Sequence, residues 1–390
     1  MAEYRWAEEA DYGNIISFAN RAFCPDEWTG DFEHDTADFS YFPRILPKLY
    51  RNIKTAPMHL LAVKGEEIVG LVGNFPLEMK AGDETLSVMG IGTVSTHPDH
   101  RGEGHMKKLM AMSVENAKER GIDFMVLGGQ RQRYEHWGFE QAGVNTVFHF
   151  NRGNTRRLFG KDADFGYRAR PLLPEDRDFI KKERLLRTSA LTSVYHDREE
   201  EYDILFSMGG APYVILKNGS FIGTYIQYED RISDLRIFDP REVLHVVNDL
   251  LLEKESLNID HIAPFDKLMT RLLAETCDGA DIGCCEMIKI LNYERTIRTY
   301  LKMASKCRNL SDGDVRLAFP NGERLHIYVK SGVPGVEPVF GTDMMSLEEK
   351  QAVNLLFGAY GAVTDYGTNL PGEIYAWFPL PFFIYMSDEV

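Results

Sequence analysis

The chain has 390 residues, is 44% hydrophobic and 26% charged, and carries a formal net charge of -15 at pH 7. That length exceeds one ordinary core, and the composition is globular, so two or three soluble domains are expected. The acidic balance argues against a nucleic-acid partner, which needs a basic face; it reads first as solubility, and it mildly favours cationic substrates through long-range steering.

No basic-then-apolar leader opens the sequence, and no apolar run reaches membrane-spanning length. The longest, 378–386, contains Pro379 and Pro381. A cytoplasmic protein without a membrane partner is therefore expected. The sparse cysteines Cys24, Cys277, Cys284, Cys285 and Cys307 read as reduced thiols, and their spacing gives no metal site.

In chain order, Tyr4-Arg5 reads as a strand, followed by Asp11 near a helix start and the apolar positions Ile15, Ile16 and Phe18. Leu60 to Gly70 reads as a hairpin turning at Lys64-Gly65. Leu86 to Thr96 is a strand in which Gly90 and Gly92 mark a bulge or a close backbone approach. After His97-Pro98 comes Arg101-Gly102-Glu103-Gly104-His105-Met106, which runs into an amphipathic helix with Leu109, Met110, Val114 and Ala117 on one face. Gly121 ends that helix and the apolar strand Phe124 to Leu127 follows.

The opening pattern then returns. Tyr167-Arg168, Asp176, Phe179 and Ile180 echo the first strand and helix, and Tyr213 to Gly223 echoes the hairpin, with Asn218-Gly219 as its turn. Two matches in the same order predict a duplicated α/β unit. In the copy, 230–240 leads into the next helix without a glycine, so the second unit is expected to lack an anion cradle. The remainder has a different grammar. Asp314 to Phe319 and Arg324 to Val329 form a hairpin, and a capping box at Ser346-Leu347-Glu348-Glu349 opens a helix through Leu355, Leu356 and Tyr360 that Gly361 ends. Three domains follow, at 1–155, 156–291 and 292–390. The expected class is α/β (α+β), with two mixed-sheet units and a smaller α+β domain.

The loop at 101–106 is suited to holding a pyrophosphate. Gly102 and Gly104 permit a compact turn with outward N–H groups, and the following helix N-terminus adds a favourable field. A Gly-x-Gly before a helix is weak by itself. The order strand, loop, helix, strand strengthens it, and neither a Walker loop nor a dinucleotide fingerprint is present.

Thr93 to Met106 resembles motif A of GNAT acetyltransferases, and Tyr134-Glu-His-Trp-Gly138-Phe139 is similar to the Tyr-x-x-x-Gly-Phe motif of that superfamily. One departure is Asp99, where the superfamily prefers Gln or Arg; Arg101 is the candidate replacement. The layout as a whole resembles the enhanced intracellular survival (Eis) group, with two GNAT-like units and a C-terminal sterol-carrier-like domain. That resemblance implies acetyl-CoA as cosubstrate, held by Val94, Ser95, Arg101, Gly102, Glu103, Gly104, His105 and Met106, with no metal. It implies Tyr134 as the acid that protonates the departing thiolate. It also implies that the α-carboxylate of Val390 reaches the active site as a base, with Glu389 and Asp26 touching a small cationic amine or peptide acceptor. Homo-oligomers, hexameric in some members, belong to the same expectation. The strongly apolar run 378–386 is itself expected to be buried and strand-like to within four residues of the end, anchoring the terminus. The competing readings are a protein that binds an apolar ligand in its C-terminal domain and an acyl-CoA sensor with little turnover.

Overall fold

A computed structural model describes residues 2–23, 41–196, 201–206, 208–229, 231–342, 344–359 and 372–390. The chain begins with β1 (Glu3–Trp6), α1 (Tyr12–Phe23), α2 (Tyr41–Ile45) and α3 (Pro47–Tyr50). The strands β2 (His59–Lys64), β3 (Glu67–Ala81) and β4 (Glu84–Thr96) lead to α4 (His105–Glu119) and β5 (Phe124–Leu127). Then come α5 (Arg131–Tyr134), β6 (Glu140–Ala142), β7 (Asn145–Asn151) and α6 (Arg152–Phe159). The second half repeats this with β8 (Tyr167–Pro171), α7 (Arg177–Ser189), β9 (Thr192–Val194), β10 (Ala211–Lys217), β11 (Ser220–Gln227) and β12 (Arg231–Ile237). It continues through α8 (Val243–Leu250), β13 (Ser256–Asp260), α9 (Lys267–Thr276), β14 (Gly279–Gly283) and β15 (Glu286–Ile290). Last are α10 (Tyr293–Cys307), β16 (Gly313–Ala318), β17 (Arg324–Lys330), β18 (Val333–Pro338), β19 (Met345–Ser346), α11 (Glu349–Phe357) and α12 (Gly372–Trp377).

The fold is mixed α/β with three sheets. The first has the order β1-β2-β3-β4-β5-β15-β6, with β9 added beside β3. The second has the order β8-β10-β11-β12-β13-β7-β14. The third, β18-β17-β16-β19, belongs to the C-terminal part. Each large sheet therefore receives its penultimate strand from the other half: β15 sits where β7 would fall in the first sheet, and β7 where β15 would fall in the second. The sequence divisions at 155 and 291 do not separate the sheets.

The duplication is exact to the residue in its hairpins. Lys64 pairs with Glu67 across one turn and Lys217 with Ser220 across the other, and register shifts follow between Ala62/Val63 and Ile215/Leu216. The next pairing breaks between Leu71/Gly73 in the first unit and Thr224/Ile226 in the second. At that break Thr93 has φ 52° and Asp234 has φ 53°, so both copies keep one bulge with a residue in the left-handed region, costly for any side chain.

The opening echo is real, but its register is shifted by two residues. Arg5 grips Asp11 through two hydrogen bonds of 2.7 and 2.8 Å. In the copy Arg170, not Arg168, grips Asp176 at 2.6 and 2.8 Å. Each carboxylate also accepts a backbone N–H three residues upstream, from Glu8 and from Leu173. Arg168 instead pairs with Asp164.

The helix at 349–357 also starts later than its sequence suggests. Its capping box joins Glu348 and Gln351, while Glu349 pairs with Lys289. Tyr360 and Gly361 lie outside the described residues. Cys277, Cys284, Cys285 and Cys307 are free thiols. No described helix is long and apolar enough to cross a membrane.

Candidate active site

The first sheet supplies the floor of the site. Strands β4 and β5 run parallel only from Val88/Phe124 to Gly90/Val126. Beyond that the bulge at Thr93 lifts β4 away, and the two strands splay apart. A splay leaves unpaired backbone groups facing the gap, which must find another partner. The gap opens into a cavity of about 540 Å³ lined by Ile91 to Val94, Gly128 to Gln130, Tyr134, Glu286, Glu389 and Val390 among others.

In the loop between β4 and α4, Gly102 and Gly104 have φ 83° and 82°, and a Cβ on either would meet nothing within 4 Å. Backbone conformation, not crowding, requires glycine at both. Gly104 is the N-cap of α4 and offers no side chain to satisfy the helix N–H groups. Helix α4 ends as expected: Gly121 has φ 66°, and Ile122 N–H reaches back to Ala117 O at 3.0 Å.

The side chain of Glu103, between the two glycines, is held by three neighbours. Its carboxylate accepts from Lys64 Nζ at 2.5 Å and contacts His100 Nδ1 at 2.9 Å and His105 Nε2 at 3.1 Å. Lys64 first, then His100, hold that carboxyl down at about 2. A repelling charge is thereby neutralised beside the loop. His105 is held by Tyr4 Oη at 2.9 Å, and His97 caps the turn by accepting Asp99 N–H. Met106 is part-buried against the α4 core, and Arg101 is exposed beside the loop.

Tyr134 ends the short helix α5, which Arg131 ties to the buried Glu140 by bonds of 2.6 and 2.5 Å. Gly138, with φ 80°, then turns the chain so that Phe139 enters the core under α4 fully buried. Tyr134 is itself buried, and burial raises its phenol above the ordinary value. It therefore carries its proton at neutral pH.

The C-terminal segment crosses the opposite face of the same sheet. Phe378, Leu380, Phe382, Phe383, Ile384, Tyr385 and Met386 are all buried. Each such side chain gains roughly 1.5–3 kcal/mol, which offsets an ordering cost of about 1–2 kcal/mol per residue. The segment is buried as expected but is not a strand. Its residues 378–385 are irregular and end in a single 3₁₀ turn, Met386–Asp388. Pro379 and Pro381 lack the N–H groups that a ladder requires.

Gly90, Gly92 and Gly128 leave a trough in which the last residues lie. A Cβ on Gly92 would sit 3.3 Å from the Val390 carbonyl carbon, and one on Gly128 would sit 3.3 Å from Glu286 Oε2. Glu286 is half-buried, and desolvation, then the charge of Glu389 and a hydrogen bond to it, push its carboxyl well above the usual range. His261 lies on the other side of Glu389, 3.6 Å away, and 3.4 Å from Asp260.

The structure brings together Val94, Tyr134, Glu389 and Val390 in one cavity; no residue of the loop 101–106 lines it. Ser95 adjoins the bulge, with its Oγ donating to Thr93 O at 3.0 Å. Asp26 lies outside the described residues. The sequence did not signal Glu286, which arrives on an exchanged strand. It also missed Tyr50, whose hydroxyl meets Thr93 Oγ1 under the bulge and lies 3.4 Å from His59 Nε2.

Residues 3–142 match the family model described as an acetyltransferase (GNAT) domain. No curated protein matches the sequence. A solved structure from Enterococcus faecalis, described as a probable N-acyltransferase, aligns with 100% of this chain and 97% of its own, at 12% identity and a TM-score of 0.67. Eis1 from Mycobacterium abscessus aligns over 99% and 98% respectively, at 13% identity and a TM-score of 0.63. A GCN5-related N-acetyltransferase from Kribbella flavida aligns over 91% and 89%, at 17% identity and a TM-score of 0.60. At these identities the likeness is one of fold.

Proposed function

We propose, from the acetyltransferase (GNAT) domain that residues 3–142 form, that the protein moves the acetyl group of acetyl-CoA to an amine of a small cationic or peptide-like acceptor. The observation that carries this reading is the meeting of the Thr93–Val94 bulge, Tyr134 and Val390 in one cavity. The open glycine loop before α4 suits a pyrophosphate. The splayed backbone at Val94 and Ser95 suits an extended pantetheine arm and offers an N–H to a thioester carbonyl.

Transfer requires one proton to leave the amine and one to reach the thiolate. In this reading the Val390 carboxylate accepts the first, directly or through a water, and the Tyr134 hydroxyl supplies the second. The new bond joins the amine nitrogen to the acetyl carbon as the carbon–sulfur bond breaks. The carboxylates of Glu389 and Val390 line the cavity and favour a cationic acceptor.

The test is acetyl-CoA consumption against polyamines, aminoglycosides and lysine peptides, with isothermal titration of acetyl-CoA and of a fatty acid in parallel. Acetyl-CoA binding with turnover on at least one amine supports the reading. Binding of the fatty acid alone, or of acetyl-CoA without turnover on any amine, defeats it.

A further inference from the structure

In the second unit the bulge equivalent to Thr93 is Asp234, and its surroundings differ from those of its counterpart. Strands β12 and β13 pair in parallel from Arg231/Asn258 to Ser233/Asp260 and then part, as β4 and β5 do. Nothing in the second unit provides a glycine loop before the following helix, where Pro240 to Glu242 form a 3₁₀ turn capped by Asp239. The parted strands hold the protein's own C-terminal segment. Phe383 and Tyr385 pack with Ala263, just beyond β13.

Asp234 grips the backbone of that segment. Its carboxylate accepts Met386 N–H at 3.0 Å, Ser387 N–H at 2.9 Å and the Ser387 hydroxyl at 2.7 Å. Arg236, two residues on, donates to Ser387 Oγ at 3.1 Å and to Asp234 at 3.3 Å, and its guanidinium lies 4.2 Å over the Tyr385 ring. Asp234 is fully buried. A carboxylate that takes two consecutive backbone N–H groups fixes the direction of the chain leaving that turn. Lys48 of the first unit closes the far side by donating to Ser387 O at 2.7 Å, and Asp388 takes His196 Nε2 at 2.9 Å. Two residues later the chain reaches Val390 in the acyl cavity of the first unit.

We infer that the parted strands of the second unit act as a socket for the C-terminal segment, and that Asp234 is the positioning residue that aims Val390 into the acyl cavity. This rests on the role proposed above for Val390. It gives the second copy of the fold a task in the reaction without a second active site. The bulge that in the first unit presents backbone to a ligand presents in the second a carboxylate to the chain itself.

A kinetic double-mutant cycle with Asp234→Ala and deletion of Val390 tests the inference in the full-length protein. Asp234→Ala should lower kcat by about 10–100-fold, since a misplacement near 1 Å has that effect, with acetyl-CoA affinity unchanged by titration. In the chain lacking Val390, the same substitution should cost less than about threefold, because the group it positions is gone. Asp234→Asn keeps one acceptor oxygen and should fall between the two. It also serves as the folded reference if the alanine variant is unstable. Equal losses in both backgrounds, or full activity of Asp234→Ala, would overturn the positioning role while leaving the function of Val390 standing. Full activity after deletion of Val390 would sink the base itself, and the positioning role with it.

Discussion

Val390 lies directly on Gly90: a Cβ built on that glycine would come within 2.3 Å of the valine Cγ2. The strand position is therefore glycine because another part of the chain, 300 positions later, occupies the space. Gly90→Ala should push Val390 out of the trough and lower turnover about tenfold or more, with acetyl-CoA affinity retained. Val390→Ala alone should be nearly silent, since it keeps the carboxylate. Combined with Gly90→Ala it should restore activity by vacating the contested volume. Failure of the double variant to recover, measured by steady-state kinetics, would show that the glycine serves something other than clearance.

Tyr134→Phe separates proton donation from packing. The ring stays, so the core beneath α4 keeps its contacts and acetyl-CoA should still bind. Turnover should fall by about 10²–10⁴-fold, the usual range for a lost general acid. Near-normal turnover, with single-turnover kinetics confirming that chemistry limits the rate, removes Tyr134 from the mechanism.

The parts of the site that were legible in the sequence are local. Gly102, Gly104 and Tyr134 sit in short stretches whose meaning depends on neighbours within a few residues. Val390 was legible partly through the apolar run 378–386, which announces a buried tail, and partly through resemblance to a known group, since nothing about a valine specifies a distant destination. The strand exchange was hidden for a physical reason. Residues 145–151 and 286–290 read as ordinary strands whose local pattern names no partner sheet, and tertiary contacts decide where they pair. The two-residue slip between Arg168 and Arg170 arose because a Tyr-Arg pair happens to precede the true partner of Asp176. Asp234 and Glu286 carried no signal, since each acts on groups more than a hundred residues away.

The second unit should add no acyl-CoA site. Its bulge is occupied by residues 385–387 and its loop carries no glycine cradle, so titration should give one acetyl-CoA per chain. A stoichiometry of two, with the second site abolished by a bulky residue at Leu235 or Ala263, would contradict the occupancy of that splay by the chain's own terminus. One equivalent that disappears on Gly104→Val would locate it at the first loop, where a side chain at φ 82° is strained by about 1–2 kcal/mol.

His261 makes the docked terminus dependent on pH in a direction that can be worked out. Burial alone would depress this imidazole. The hydrogen bonds and negative charges of Asp260 and Glu389, with Asp234 nearby, outweigh burial and hold it up at about 10. A group whose pKa is raised on folding stabilises the folded state fully below its unfolded value, about 6.5. That stabilisation is lost as pH rises through about 10. Lys48 works the other way in an overlapping window. Burial lowers it to about 8, so the folded state gains relative stability as pH rises from there toward 10.5. The net curve of the unaltered protein therefore mixes two opposing slopes, and His261 must be isolated by difference. Melting temperatures of the protein and of His261→Asn, measured from pH 6 to pH 10.5, should differ most at the acid end, on the order of a few degrees. The gap should close as the imidazole loses its proton. A gap that stays constant across the range would mean that His261 contributes shape alone, and that Glu389 is held in the cavity without a cationic partner.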